Sequence, residues 1–243
     1  MRPAHHRVRR LLTRRARRDR VGSTGPAQVR RQALAIGLAV GAYGVSFGAA
    51  STAAGLSVLQ TCALSLLVFT GASQFALVGV LGAGGSAVAG VAAALLLGSR
   101  NAMYAVRLAD LLGLRSWRRL LAAQVTIDET TAVSVAAPEG LAALGFWSTA
   151  ASVYVLWNLA TLAGALGAAR VDTGALGLDA AVGGAFLALL WPQLRGARRE
   201  AALGALIAVA AVPLTPPGVP VLLAALAILP AVRARTAARG GWR

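Results

Sequence analysis

Side chains that do chemistry are scarce in this chain. Histidine occurs only at His5 and His6, and cysteine only at Cys62. The body of the sequence therefore offers no ligands for a zinc site, no histidine proton relay and no internal disulfide. Lysine is absent, and all 24 basic residues are arginine. Charged residues make up 13 % of the chain, against about 25 % in ordinary soluble domains. A soluble fold of 243 residues needs more charge than this to cover its surface. Phosphate-binding glycine loops and the HExxH, CxxC and GxSxG patterns are missing as well. No enzyme is expected, and neither cofactor nor metal.

What the chain has is apolar length. Hydrophobic residues reach 57 % and mean hydropathy is +0.68. No residue between Arg31 and Arg100 is charged, which leaves room for about three crossings of a roughly 30 Å hydrocarbon layer. Small-residue breaks suggest spans at 34–55, 58–80 and 86–108. A basic loop at 115–119 follows, then an apolar stretch at 120–138 and a long helix within 140–169. Shorter segments at 176–191 and 201–232 come last, the latter split by a Pro/Gly turn at 213–218 and ending in a span at 219–231. The expected fold is all-α: a polytopic integral membrane protein of about seven to eight helical segments, some short, broken or re-entrant. The runs lack the alternation of barrel strands.

Charge sits at the ends. Eleven arginines against Asp19 give residues 1–31 a charge of +10, and four after Pro230 give +4, so only +2 of the formal +16 belongs to the body. The chain thus divides into an arginine-rich cytoplasmic tail (1–31), a transmembrane transporter domain (32–232) and a second basic tail (233–243). Such tails attract anionic lipid and hold their side in the cytoplasm; without a soluble fold to carry them they do not indicate nucleic acid. The positive-inside rule also puts the loops at 115–119 and 195–199 inside. Counted as full crossings, the segments do not close: three between Arg31 and Arg115 would leave that loop outside. Either the regions are divided too finely or they hold re-entrant or broken helices.

Polar groups inside the apolar runs mark the candidate site. Gly37, Gly41, Gly44 and Gly48 share one helix face. They form either a packing seam or a substrate-facing stripe, with Tyr43, Ser46 and Phe47 as lining. Gln74, beside Thr70, Gly71 and Ser73, needs a partner, a cavity or an unwound backbone. Arg100 lies two turns deeper than Arg107 and sits beside Asn101, with Tyr104 one turn on. It either pairs with a protein carboxylate or holds a bound one. Asp128 and Glu129 are the sharpest feature, because intramembrane carboxylates mark ion and substrate paths. Gln124, Thr126, Thr130 and Thr131 are expected to give their helix a polar face. Asn158 and Thr161 repeat the Gln74 argument more weakly.

Taken together, these landmarks resemble the AzlC family, the larger subunit of branched-chain amino acid exporters. The matching pieces are residues 45–48 (VSFG), 68–75 (VFTGASQF), 100–104 (RNAMY), 126–130 (TIDET), 157–164 (WNLATLAG), 177–179 (GLD) and 185–190 (AFLALL). The chain departs from the pattern at Gly98, where an Asn is common, and at Asn101, where a His is common, so coupling would fall on Asp128 or Glu129. The resemblance implies a multi-pass cell-membrane protein that exports valine, leucine, isoleucine and analogues, with a small membrane subunit of the AzlD type as partner. Lacking a nucleotide site, it would be a gradient-driven secondary carrier. In that reading a cavity takes the amino acid zwitterion, Arg100 near its carboxylate and Asp128 near its ammonium, with backbone around Gly71–Gln74 completing the contacts. The alternatives are a carrier for another small metabolite and a non-transporting membrane scaffold.

Overall fold

A computed structural model describes residues 25–168 and 198–228. The expected segment at 176–191, the landmarks at 177–179 and 185–190, residues 1–24 of the first tail and all of the second lie outside these residues. In chain order the helices are α1 (Pro26–Ala53), α2 (Val58–Leu67), α3 (Gly71–Gly82), α4 (Ala87–Gly98), α5 (Arg100–Leu112), α6 (Trp117–Gln124), α7 (Asp128–Ala136), α8 (Ala142–Ala168), α9 (Arg198–Ala211) and α10 (Val219–Ala224). No strand occurs among the described residues, so the all-α membrane fold stands. Three stretches are long and apolar enough to cross a membrane: α1, α8, and α4 with α5 as one helix over Ala87–Leu112. At Ser99 the backbone stays right-handed helical (φ −57°, ψ −28°), so only the hydrogen-bond ladder slips there. α1 begins at Pro26, ahead of the expected 34, because a proline in the first turn gives up an amide that has no acceptor anyway. Arg30 and Arg31 therefore ride on the helix.

The glycine stripe is a packing seam. An added Cβ would come 2.8 Å from Ser152 Cβ at Gly37, 2.8 Å from Leu156 Cβ at Gly41 and 2.5 Å from the Trp157 carbonyl oxygen at Gly44. At Gly48 it would overlap the Thr161 carbonyl oxygen, and at Gly164 that of Val45. The partners rise in number together, so α1 and α8 run parallel. The Ser152 hydroxyl donates to the Ala33 carbonyl at 2.7 Å and locks the register.

Between these helices the chain does something that hydropathy does not display. α2 leaves the Ala53 end of α1, and at residues 68–70 the helix breaks. α3 then returns to the end it came from: an added Cβ at Gly82 would lie 3.3 Å from Ala54 Cβ. Phe75, just past the break, meets Phe47 edge-on at 5.5 Å, and the break residues Phe69 and Thr70 line the same space as Val40 and Tyr43 near the middle of α1. The expected span at 58–80 is therefore a re-entrant hairpin that reaches mid-depth and turns back. The apolar stretch expected at 120–138 behaves likewise from the opposite end. On α6, Ala122 packs with Leu108 and Phe146, while Leu114 and Trp147 border the same cluster. After a break at residues 125–127, α7 comes back beside the start of α8. There the Ser134 hydroxyl donates to the Ala142 carbonyl at 3.0 Å, and Gly145 lies against Val133.

Re-entry resolves the orientation conflict. With only α1 and α4–α5 crossing between them, Arg31 and Arg115 lie at the same end. The reading of Gln124, Thr126, Thr130 and Thr131 as one polar helix face is corrected, since the break parts them. Gln124 turns away to α2, Thr126 donates to Ala122 (2.7 Å), and Thr130 folds back onto the Val125 and Ile127 carbonyls (3.0 and 3.1 Å).

The two halves are also built alike. A crossing helix followed by a re-entrant hairpin occurs twice, with opposite directions. Leu67 and Gln124 end the descending arms, and Gly71 and Asp128 start the returning ones; both pairs are 57 positions apart. Inverted repeats of this kind surround the central site in many carriers.

Candidate functional site

The tips of the two hairpins meet at mid-depth, and the lost ladder has to be made good there. In lipid an unpaired carbonyl costs several kcal/mol. The last carbonyls of α2 are covered by three side chains from three other elements. Gln74 Nε2 donates to Leu64 (3.1 Å) and the Tyr154 hydroxyl to Leu66 (3.1 Å). Gln124 Nε2 donates to both Leu66 and Leu67 (3.0 Å each). Gln124 thereby ties one hairpin tip to the other.

Beside these tips lies a cavity of about 260 Å³. Its polar rim is Tyr43, Thr70, Gly71, Arg100, Asn101, Asp128 and Glu129, and its apolar wall includes Val40, Phe69, Ile127, Val153 and Trp157. Positions 43, 70, 71 and 72 of the first repeat correspond to 100, 127, 128 and 129 of the second, and all eight line the space. Arg100 Nη2 sits 2.7 Å from Asp128 Oδ2, each side chain 36 % exposed. The Tyr104 hydroxyl donates to Asp128 Oδ1 at 2.7 Å, so both carboxylate oxygens are engaged. Glu129, next in the same first helical turn, forms no ion pair among the described residues.

A model of the AzlC protein family matches residues 35–171, more than half of the chain. This chain belongs to the AzlC family. No curated protein and no solved structure matches it at a significant level. The AzlC family is associated with branched-chain amino acid transport, and as a member this chain is a multi-pass membrane protein of a transport family.

Most of the residues singled out as polar groups within apolar runs converge: Asp128, Glu129, Arg100, Asn101, Thr70, Gly71 and Tyr43 share the cavity, and Tyr104 stands behind Asp128. Others do not reach it. Gln74 is fully buried and caps α2, and Ser73 is 2 % exposed against Gly98. Phe47 is in the core with Phe75 and Trp157. Thr161 accepts from Ser65 (3.3 Å), Asn158 donates to the Tyr154 carbonyl (2.8 Å), and Ser46 is half-buried elsewhere on α1. Sequence reasoning missed Trp157 and Ile127 as wall and Tyr154 as a cap. Only the break itself could have pointed to them, because a broken helix end demands donors from elsewhere.

Proposed function

We propose that this chain is the larger subunit of a branched-chain amino acid exporter, a gradient-driven carrier of the cell membrane and not an enzyme. The observation that carries this reading is the cavity at the meeting point of two oppositely directed re-entrant tips, with a charged rim and an aliphatic wall. A zwitterion with a small branched side chain fits that division. At about 260 Å³ the space is smaller than the roughly 300–1,000 Å³ of drug-sized pockets. Such a wall separates neighbouring aliphatic side chains poorly, by about 1–3 kcal/mol per methylene, so valine, leucine, isoleucine and analogues are all substrates. The arginines at 30–31 and 115–119 share one end of the bundle, which favours cytoplasmic termini with basic tails on anionic lipid. A small AzlD-type membrane subunit completes the transporter.

The test is efflux of preloaded radiolabelled leucine, isoleucine and valine from cells making the chain alone or with that small partner. Export is expected to exceed the vector control and to be lost in Asp128→Asn at equal membrane abundance. Abundant, inserted protein that speeds the exit of none of the three refutes the substrate assignment. A wider metabolite screen would then test the other-carrier alternative.

A further inference from the structure

We infer that the amino acid lies between the two hairpin tips with its carboxylate on the start of α3 and its ammonium on Glu129, while the Arg100–Asp128 pair stays closed. The inference rests on the reading of the cavity as an amino acid site and replaces the simplest assignment of its poles. Arg100 and Asp128 are already engaged with each other at 2.7 Å, and Tyr104 holds the second carboxylate oxygen. Using them on a substrate would break a mid-depth ion pair and leave two charges to be recompensed. The pair instead ties α5 to α7.

The remaining lining groups sort by polarity. α3 and α7 both present their N-terminal ends to the cavity, where the first amides have no acceptor in their own helix. Repeat-related positions differ in one decisive way: Asp128 and Glu129 fill the α7 end with acid, whereas Gly71 and Ala72 leave the α3 end without any. Among the described residues no side chain caps α3, and the Thr70 hydroxyl beside it has no partner. Trp157, 4 % exposed, forms the same wall, and its indole N–H has no acceptor among the described residues. Its ring edge would stand 3.3 Å from a Cβ at Gly71, so glycine keeps this corner open. The amides and the hydroxyl are donors, which suits a carboxylate. Across the cavity, among the described residues, Glu129 is the one rim carboxylate beyond the ion pair, and Asn101 Oδ1 is an acceptor without a partner. Both suit an ammonium.

The experiment is leucine counterflow in proteoliposomes holding the full chain, together with the small subunit if efflux requires it. Unlabelled leucine, leucinamide (no carboxylate) and 4-methylpentanoate (no amine) serve as competitors. Wild type is expected to prefer leucine over either analogue by about tenfold or more, the scale of one hydrogen-bonded charge. In Glu129→Gln the preference over 4-methylpentanoate collapses while that over leucinamide stays. In Gly71→Ala and Thr70→Val the reverse holds. Variants are compared at equal reconstituted amounts, and the two α3 variants carry the test if Glu129→Gln does not insert. A Glu129→Gln protein that still rejects 4-methylpentanoate, or α3 variants that still reject leucinamide, overturns this assignment alone. A wild-type protein that exchanges no branched-chain amino acid overturns the transport reading beneath it.

Discussion

Gly48→Ala is the sharpest probe of how α1 and α8 are joined. The added methyl would overlap the Thr161 carbonyl oxygen and lie 2.7 Å from the Ala165 amide nitrogen. Both are main-chain atoms of α8, so no rotamer change relieves the clash and the helices have to part. Overpacking of this kind costs about 1–3 kcal/mol, and contact with backbone puts it at the upper end. Alanine's better helix propensity returns up to about 1 kcal/mol, which leaves a net loss of about 2 kcal/mol. For a chain of this size that is roughly 4–8 °C in Tm, at about 2–4 °C per kcal/mol. The assay is thermal unfolding of the full chain in detergent, followed by tryptophan fluorescence. Gly79→Ala, where nothing lies within 4 Å of the new carbon, is the control and should melt at or slightly above wild type. A Gly48→Ala protein that melts with the control refutes the close parallel seam.

Three further outcomes follow from the hairpins and their rim. Replacing Gln124 by Leu or Tyr154 by Phe each lowers stability by about 1–3 kcal/mol. The double variant loses more than the sum, because the two donors share the Leu66 carbonyl; strictly additive melting shifts would contradict shared capping. In a Cys62→Ser background, cysteines at Ala53 and Ala83 should react with an impermeant maleimide from one side of the membrane, and cysteines at Arg115 and Glu139 from the other. Labelling of Ala53 and Ala83 from opposite sides would make α2–α3 a crossing. Finally, Arg100→Asp lowers membrane abundance and Tm, and adding Asp128→Arg restores most of both. Failure of the exchange to rescue would deny the pair its role in holding α5 to α7.

Several of these features could be read in the chain beforehand, and others could not. Composition alone, 13 % charged residues against 57 % hydrophobic ones, identified a membrane protein. Uninterrupted apolar length gave α8 almost whole and α1 from its third turn onward. The cost of burying polar groups in lipid singled out Arg100, Asn101, Asp128 and Glu129, which do share one cavity. The same argument over-reached at Gln74 and Asn158, whose amides serve main-chain carbonyls (Leu64 and Tyr154) away from the cavity wall. Locally, a buried amide that caps a helix and one that binds a ligand look identical in sequence.

Sequence alone determined that the chain lives in lipid, which runs are helical, and which few side chains are too expensive to be there idly. The tertiary structure decided that residues 58–82 and 117–136 turn back at mid-depth instead of crossing. The reason is that an apolar stretch of about the same length serves one crossing or two half-crossings equally well. What permits the break is supplied from far away: donors at Gln124 and Tyr154 reach carbonyls 57 to 88 positions earlier in the chain. Only when the hairpin tips meet does Arg100 come within 2.7 Å of Asp128, leaving Glu129 and the open end of α3 facing the cavity.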